Sequence, residues 1–159
     1  TGSGCLLLAL LHELPGATGL GIDRSAAALE VAAANARTLG LAGRARFQAG
    51  NWTEGLGGRF EVIVSNPPYI PAGTIPGLEP EVARYEPRLA LDGGRDGLDA
   101  YRSLLPGVKR LLAPGGLAAL EVGAGQADAV ATLAARCGLQ PTAHRHDLAG
   151  VARVVQLYG

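Results

Sequence analysis

The sequence contains no methionine and only two cysteines. Cys5 and Cys137 are too few and too far apart for a disulfide framework or a metal cluster, which favours a reducing compartment. No apolar run approaches the ~20 residues that a membrane span needs, and the first residues do not resemble a signal peptide. We therefore expect a cytoplasmic domain with no membrane partner.

An excess of charge of either sign is also lacking, because the 159 residues carry 14 basic and 14 acidic side chains. A chain with balanced charge lacks the excess of positive charge that tight, sequence-independent binding to nucleic acid requires. The length is that of one ordinary domain, and about half of the residues are apolar, which is enough for one core. We expect a single domain over residues 1–159 without direct nucleic-acid binding.

What the sequence does contain is an alternation of helix and strand patterns. Patterns typical of helices cover residues 5–14, 26–39, 98–112 and 126–137. Short apolar runs typical of strands cover residues 17–23, 44–49, 60–65 and 117–122. Two further β-like runs, 140–146 and 151–158, are joined by a turn that predicts a hairpin. The alternation predicts an α/β fold with one doubly wound, mostly parallel sheet and a C-terminal antiparallel pair.

Two regions between these elements are rich in proline or glycine. Residues 67–87 contain six prolines and no sustained period, which predicts a long loop of the kind usually kept for function. We expect its acidic residues to be solvated, although the loop could contact a protein substrate. Within residues 98–112 we expect a break near Pro106, and the segment Pro114-Gly115-Gly116 predicts a turn into the next strand.

The opening turn and Asp23 together favour nucleoside binding. Glycines in Thr1-Gly2-Ser3-Gly4 let a ligand approach backbone N–H groups at the start of the following helix. Asp23 follows about 20 residues later at a strand end, where a carboxylate can accept hydrogen bonds from ribose hydroxyls. Each feature also has a purely structural interpretation. The turn could simply connect a strand to a helix, and Asp23 could cap the next helix in competition with Ser25. Asn51-Trp52 lies at a strand end suited to contacting an adenine ring, but a single tryptophan is equally well explained as a core residue.

The most informative stretch is Asn66-Pro67-Pro68-Tyr69, which directly follows the strand pattern at 60–65. Two consecutive prolines cannot continue a β-ladder, so they make a stiff shelf at the carboxyl end of a strand, where open α/β sheets bind ligands. We interpret this shelf as a clamp for a planar amide or amine. The Asn66 side-chain oxygen and the Pro67 carbonyl would accept its N–H groups while the Tyr69 ring packs on its face.

Seven stretches carry a resemblance to one known family. They are Thr1-Gly2-Ser3-Gly4-Cys5, Asp23, Asn51-Trp52, Asn66-Pro67-Pro68-Tyr69-Ile70, Tyr85-Glu86-Pro87-Arg88-Leu89-Ala90-Leu91, Gly94-Arg95-Asp96-Gly97-Leu98 and Glu121-Val122-Gly123. Together they resemble the release-factor glutamine methyltransferases, the HemK/PrmC family, over essentially the whole chain. The Asn-Pro-Pro-Tyr motif alone is shared with amino-group DNA methyltransferases, whereas the Glu-Pro-Arg-Leu-Ala-Leu stretch is much more specific.

The resemblance implies a Rossmann-like class I fold and an S-adenosylmethionine-dependent enzyme of translation termination. The enzyme would methylate the side-chain amide nitrogen of the glutamine in the Gly-Gly-Gln motif of peptide chain release factors. The cofactor-binding residues that it implies are Thr1, Gly2, Ser3, Gly4, Asp23, Asn51, Trp52 and Asn66. The substrate-binding residues are Asn66, Pro67, Pro68 and Tyr69, of which Asn66, Pro67 and Tyr69 are catalytic.

The start of the chain bears on this interpretation. The chain opens directly on its glycine turn and lacks methionine, so we expect it to be a fragment of a longer protein. The family has a strand ending in an acidic-x-Gly motif before this turn and a helical substrate-binding domain before that. In the implied strand order, which resembles 3-2-1-4-5-7-6, the absent strand is the central one. We therefore expect this catalytic domain alone to bind S-adenosylmethionine poorly.

Other interpretations of the sequence stay open at this point. The chain could methylate another protein glutamine or the exocyclic amine of adenine, or it could be a non-catalytic truncated remnant. His144 and His146 would share one face of a strand at a spacing that suits a metal, but no third ligand is evident and we expect no metal site.

Overall fold

A computed structural model describes all 159 residues apart from the side chain of Arg84. The chain divides into two compact units, Thr1–Leu56 and Gly57–Gly159. Each unit has its own hydrogen-bonded sheet. None of the described helices is both long and apolar enough to cross a membrane.

The first unit alternates two helices with two strands. These elements are α1 (Cys5–Glu13), β1 (Gly19–Asp23), α2 (Ala26–Thr38) and β2 (Ala45–Ala49). The two strands pair in parallel. The core of the unit consists of small and branched apolar side chains from both helices, the segment after α2 and the start of β2, namely Leu8, Leu11, Ala36, Leu41 and Ala45. Ser25 caps α2 as predicted, because its hydroxyl accepts a hydrogen bond from the Ala28 N–H at 3.2 Å.

The second unit begins with β3 (Phe60–Ser65) and the proline-rich region. That region contains a short 3₁₀ turn (Ile75–Gly77) and the helix α3 (Pro80–Tyr85), and the short helix α4 (Arg88–Leu91) follows it directly. The prediction of an irregular loop over residues 67–87 is therefore partly wrong. Pro80 stands in the first turn of α3, where its missing N–H would have no helical partner in any case.

The rest of the second unit completes a mixed sheet. Its elements are α5 (Asp99–Leu111), β4 (Leu112–Glu121), α6 (Ala127–Arg136), β5 (Gln140–Pro141), β6 (Arg145–His146) and β7 (Ala152–Tyr158). The strand order is β3-β4-β7-β5, and β6 also pairs with β7. The β3–β4 pair is parallel, whereas every pair that includes β7 is antiparallel. The predicted α/β class with a C-terminal antiparallel pair is confirmed.

The strands form two sheets rather than the single sheet that the alternation predicts. Within each sheet the neighbours follow the predicted order, with β1 beside β2 and with β4 between β3 and β7. Because no strand of the described chain pairs with both β1 and β3, hydrogen bonding does not continue from one sheet to the other.

Three local predictions are corrected by packing. The expected break near Pro106 is absent, and α5 continues through this proline. One face of the helix is buried, and this face carries six apolar side chains and Gly107. That burial outweighs the roughly 3 kcal/mol that a helix-interior proline costs. β4 starts at Leu112, earlier than expected, and the turn at Pro114 is a bulge in its pairing with β3. Residues 140–146 form two short strands, so that His144 lies outside β6 and does not share a strand with His146.

Candidate functional site

The candidate site residues fall into two sets, one in each unit. Thr1 to Gly4, Asp23 and Asn51-Trp52 belong to the first unit, and Asn66-Pro67-Pro68-Tyr69 belongs to the second. Each set lies at the carboxyl end of parallel strands, which is the edge that the sequence predicts.

Asp23 and the glycine turn are brought into direct contact. One carboxylate oxygen of Asp23 accepts hydrogen bonds from the Thr1 amino group at 2.9 Å and from the Gly2 N–H at 2.8 Å. The other oxygen accepts from the Ser25 N–H at 2.8 Å. Gly2 and Gly4 have φ angles of 55° and 79°, in the left-handed region that favours glycine. The turn and the acidic residue are therefore one structural unit, although Gly2 and Asp23 are 21 positions apart in the sequence.

The same contacts fix the charge of Asp23. Burial acts to raise the pKa of Asp23, whereas hydrogen bonds from the backbone N–H groups of Ser25 and Gly2 lower it. The pKa is lowered to about 2, so Asp23 is a carboxylate at neutral pH. A carboxylate offers about four acceptor positions, of which three are used here, and one position remains for a ligand hydroxyl.

Asn51 and Trp52 follow β2 at the same strand edge as Asp23. Asp23 stands opposite Ala49 in the parallel register, and the Gly50 N–H donates to the Asp23 carbonyl at 3.0 Å. Trp52 has a φ of 53°, which is uncommon for a residue with a bulky side chain and marks a special position. The Asn51 amide donates to the Glu54 carboxylate at 2.6 Å, so it is already engaged within its own turn.

The side chain of Asn66, unlike that of Asn51, is not held by a hydrogen bond to a neighbouring side chain that the structure describes. It follows β3 directly, is exposed, and its side chain makes no hydrogen bond to any group that the structure describes. Pro67 is fully buried beneath it, and the Asn66–Pro67 peptide bond is trans. The side-chain oxygen and nitrogen of Asn66 are thus available to a ligand on a fixed backbone.

A cavity of about 230 Å³ opens beside this asparagine. Its lining combines the motif with the region around α4 and consists of Asn66, Pro67, Tyr69, Ile70, Glu86, Ala90 and Leu91. Backbone hydrogen bonds join the two sides, because the Ile70 N–H donates to the Leu91 carbonyl at 3.0 Å and the Gly93 N–H donates to the Ile70 carbonyl at 2.9 Å.

Tyr69 is held by residues that the sequence did not single out for function. Its hydroxyl donates to the Glu121 carboxylate at 3.3 Å, while the hydroxyl of the fully buried Tyr101 donates to the Glu121 carbonyl at 2.7 Å. Burial, followed by the negative charge of Glu121, raises the pKa of Tyr69, so its phenol remains protonated at neutral pH. Tyr69 can therefore act as a neutral hydrogen-bond donor and an aromatic face, but not as a base.

Gln126 is the other residue that sequence reasoning missed. Its side-chain nitrogen donates to the Tyr69 carbonyl at 2.9 Å, across 57 residues of chain. One indirect signal pointed to Glu121, which lies in the stretch Glu121-Val122-Gly123 that carries the family resemblance. Gln126 gave none, because its position before α6 predicts only a helix start.

Comparison with known proteins adds three findings. The profile of a family described as "Methyltransferase domain" matches residues 1–120. A release factor glutamine methyltransferase from Rhodospirillum rubrum is 56% identical over 96% of this chain and 47% of its own length. One from Bradyrhizobium diazoefficiens is 53% identical over 98% of this chain and 52% of its own length. The chain thus spans about half the length of these curated relatives, and the resemblance found from the motifs is confirmed.

Solved structures with the same fold are more distant in sequence. A methyltransferase from Pyrococcus furiosus matches with a TM-score of 0.74 and 18% identity, over 99% of this chain and 71% of its own. An O-methyltransferase from neocarzinostatin biosynthesis, solved in complex with S-adenosyl-L-homocysteine, matches with a TM-score of 0.64 and 19% identity, over 99% of this chain and 47% of its own. At this identity the likeness concerns the fold alone. With the profile covering most of its residues, the chain belongs to the methyltransferase domain family.

Proposed function

We propose that this chain is the catalytic domain of an S-adenosylmethionine-dependent methyltransferase that acts on a glutamine side chain of a peptide chain release factor. The observation that carries the proposal is the Asn66 amide, which has no hydrogen-bond partner among the described groups and lines a cavity of about 230 Å³. The names of the relatives that share about half of their length with this chain support the same substrate.

The residues of the first unit fit the proposed cofactor. Asp23 keeps one acceptor position for a ribose hydroxyl, and its ionised state makes that hydrogen bond a strong one. Thr1 to Gly4 would hold the methionine end, because the glycine turn keeps side chains away from a ligand that approaches its backbone. Asn51 and Trp52 would hold the adenine. When bound, S-adenosylmethionine supplies an electrophilic methyl group.

The residues of the second unit would raise the low reactivity of the glutamine amide that accepts the methyl group. An amide nitrogen is a weak nucleophile because its lone pair is delocalised into the carbonyl. Asn66 Oδ1 and the Pro67 carbonyl would accept both N–H groups of the glutamine amide and orient its nitrogen. These acceptors also favour the positive charge that develops on the nitrogen as it forms a bond to carbon. The nitrogen would bond to the methyl carbon as the bond from that carbon to the cofactor's sulfur breaks, and it would then release one proton to solvent, so no strongly basic side chain is needed.

The surface next to the cavity supports a protein substrate rather than a small molecule. Tyr85 at the end of α3 and Leu89 in α4 are 82% and 58% exposed, although both are large and partly apolar. Glu86 and Ala90 lie next to them in sequence and line the cavity. Exposed apolar side chains beside a functional cavity are typical of protein interaction surfaces. We propose that the backbone flanking the target glutamine rests on this surface.

Substitution of Asn66 tests the proposed function. Asn66→Ala removes an acceptor and is expected to lower the rate of methyl transfer to an isolated release-factor Gly-Gly-Gln domain by about 100-fold, as for loss of one well-placed polar group. Asn66→Asp keeps an acceptor oxygen at the same place and should retain more activity than Asn66→Ala. Transfer is measured as a 14 Da gain on the glutamine-containing peptide by mass spectrometry. Turnover of Asn66→Ala within threefold of the wild type would refute the amide clamp.

A substrate panel separates the proposal from its rivals. The wild-type protein is offered the release-factor domain, a ribosomal protein and an adenine-containing duplex under identical conditions. We expect methylation of the release-factor domain, at its glutamine. Methylation of the DNA alone would contradict the proposal, and no methylation of any substrate by protein that binds the cofactor would favour a non-catalytic role.

A further inference from the structure

The side chain of Gln126 connects three separate backbone segments of the second unit. Its oxygen Oε1 accepts a hydrogen bond from the Gly123 N–H at 3.0 Å. Its nitrogen Nε2 donates to the Tyr69 carbonyl at 2.9 Å and lies 3.5 Å from the Gly97 carbonyl oxygen. The segments that meet here are the end of the Asn66 motif, the loop before α5 and the turn before α6.

The base of this side chain is itself fixed. Gln126 precedes α6, but its side chain does not cap that helix. Instead, the Gln126 N–H donates to the Gly123 carbonyl at 3.1 Å while Gly123 donates to the Gln126 side chain. This reciprocal pair closes the turn after β4 and directs the side-chain nitrogen towards Tyr69.

The peptide unit between Tyr69 and Ile70 is held at both of its polar ends. The Tyr69 carbonyl accepts from Gln126, and the Ile70 N–H of the same peptide plane donates to the Leu91 carbonyl at 3.0 Å. Since a peptide unit is planar, fixing both ends fixes its rotation. This peptide unit ends the Asn66-Pro67-Pro68-Tyr69 motif, so the motif is anchored at its carboxyl end.

The approach of the three segments requires a glycine at position 97. Gly97 has a φ of 78°, and a Cβ there would collide with the Tyr69 carbonyl oxygen and with Gln126 Nε2. The Gly97 backbone therefore reaches the Tyr69–Gln126 contact in a way that no other residue type permits. This close packing accounts for a glycine in the stretch Gly94-Arg95-Asp96-Gly97.

The chemistry of this junction suits a carboxamide. One acceptor must face the Gly123 N–H while donors face two carbonyl oxygens, and a planar amide provides both on one group. An ionised carboxylate at this position would place negative oxygens against the carbonyls of Tyr69 and Gly97. A protonated carboxyl would again offer one donor.

We propose that Gln126 is a positioning residue for methyl transfer, which fixes the Tyr69–Ile70 peptide and through it the acceptors of the Asn66 motif. Gln126 does not line the cavity and acts only through this peptide. The inference rests on the proposed function, because it assigns the motif to the binding of a glutamine amide.

Gln126→Glu tests the proposal, because it converts the contact into one that depends on pH. At pH 8 the carboxylate cannot donate to the Tyr69 carbonyl, and we expect kcat to fall by about tenfold or more relative to the wild type. As pH falls towards 5 the carboxyl gains a proton, and the ratio of variant to wild-type kcat should rise. The neighbouring titratable groups Tyr69, Glu121 and Asp99 occur in both proteins, so the ratio removes their effect. Gln140→Glu makes the same change at an exposed glutamine of β5 and should give a flat ratio near one.

A second measurement separates failure of this inference from failure of the proposed function. Hydrogen exchange of the Ile70 amide reports on the peptide plane without any turnover. In Gln126→Glu we expect this amide to exchange about tenfold faster than in the wild type at pH 8, with protection regained at low pH after correction for the intrinsic rate. The Thr142 amide, which donates to the Gln156 carbonyl at 2.9 Å, is the control and should not change.

The outcomes are distinct. Altered Ile70 exchange with no wild-type methylation of the release-factor domain would support the positioning of the peptide and refute the proposed substrate. A folded Gln126→Glu variant with a flat kcat ratio and unchanged Ile70 exchange would overturn the role of Gln126. If Gln126→Glu fails to fold, Gln126→Ala takes its place and should show faster Ile70 exchange at every pH, and unchanged exchange there would overturn the inference equally.

Discussion

Asp23 and Asn66 occupy similar places in the two units, but they are held in opposite ways. Asp23 is the last residue of β1 and its carboxylate accepts three hydrogen bonds. Asn66 is the first residue after β3, and its side chain is exposed with no described partner. Around Asp23 the structure fixes the side chain, whereas around Asn66 it fixes the backbone.

The difference agrees with what each residue would bind. A cofactor of constant structure is bound well by a carboxylate that is already oriented, because little conformational entropy is lost on binding. A free side chain on a rigid backbone would keep its acceptor unused until the proposed substrate amide arrives. The predictions below test this contrast, beginning with the largest expected effect.

Removal of the Asp23 carboxylate should weaken the proposed cofactor binding strongly. Asp23→Ala leaves the Gly2 and Ser25 N–H groups without their acceptor and removes the position left for a ribose hydroxyl. Loss of a charge-assisted hydrogen bond predicts a rise of about 10- to 100-fold in the Kd for S-adenosylmethionine. Isothermal titration of the protein measures this, with Glu30→Ala on the exposed side of α2 as an acidic control. An increase below threefold would remove Asp23 from the cofactor site.

Truncation of Leu89 should affect the substrate side alone. Leu89 is 58% exposed on α4, so Leu89→Ala should cost little stability but raise the KM for the release-factor domain by about tenfold if the leucine packs against the substrate. The matched control is Leu148→Ala, because Leu148 is a fully exposed leucine in the turn before β7. Equal KM values for the two variants would show that α4 does not contact the substrate.

The contrast between the two residues could be predicted from the sequence only in part. The positions of Asp23 and Asn66 at strand ends follow from short apolar runs that stop at a polar residue or at proline. That Asp23 and Asn51 lie at one edge follows from the parallel pairing of β1 and β2, which places the carboxyl ends of these strands side by side. Local pattern and general topology were sufficient for these features.

The support beneath Asn66 could not be predicted in this way. Gln126 and Glu121 reach Tyr69 across 57 and 52 residues, and no local period or motif spacing encodes such contacts. The continuous α5 was missed for a related reason, because the cost of Pro106 is local whereas the burial that outweighs it depends on the assembled core. Long-range packing determined each feature that the sequence did not reveal.

Removal of the Tyr69 hydroxyl should have a modest effect. In Tyr69→Phe the ring stays in place and the Gln126 contact to the backbone is unchanged, while the 3.3 Å hydrogen bond to Glu121 is lost. A weak hydrogen bond of this length predicts a decrease of about two- to fivefold in kcat with an unchanged cofactor Kd. A loss as large as that of Asn66→Ala would mean that the phenol takes part in the chemistry, and the contrast between free side chain and fixed backbone would need revision.

The last expected effect is a pH dependence of stability that belongs to Asp23. Its pKa of about 2 in the folded protein lies below the value of roughly 3.9 in an unfolded chain. The carboxylate therefore stabilises the fold above about pH 4, and this contribution is lost as the pH falls from about 4 towards 2.

Asp23→Asn has no such titration, so the difference in unfolding free energy between wild type and variant should be constant above pH 5 and should shrink below pH 4. Urea unfolding of both proteins at several pH values measures it, and the lowered pKa values of Asp92, Asp96 and Asp147 cancel because both proteins contain these residues. A difference that stays constant down to pH 2.5 would mean that the hydrogen bonds of Asp23 do not favour its charged form, and that its side chain is no more fixed than that of Asn66.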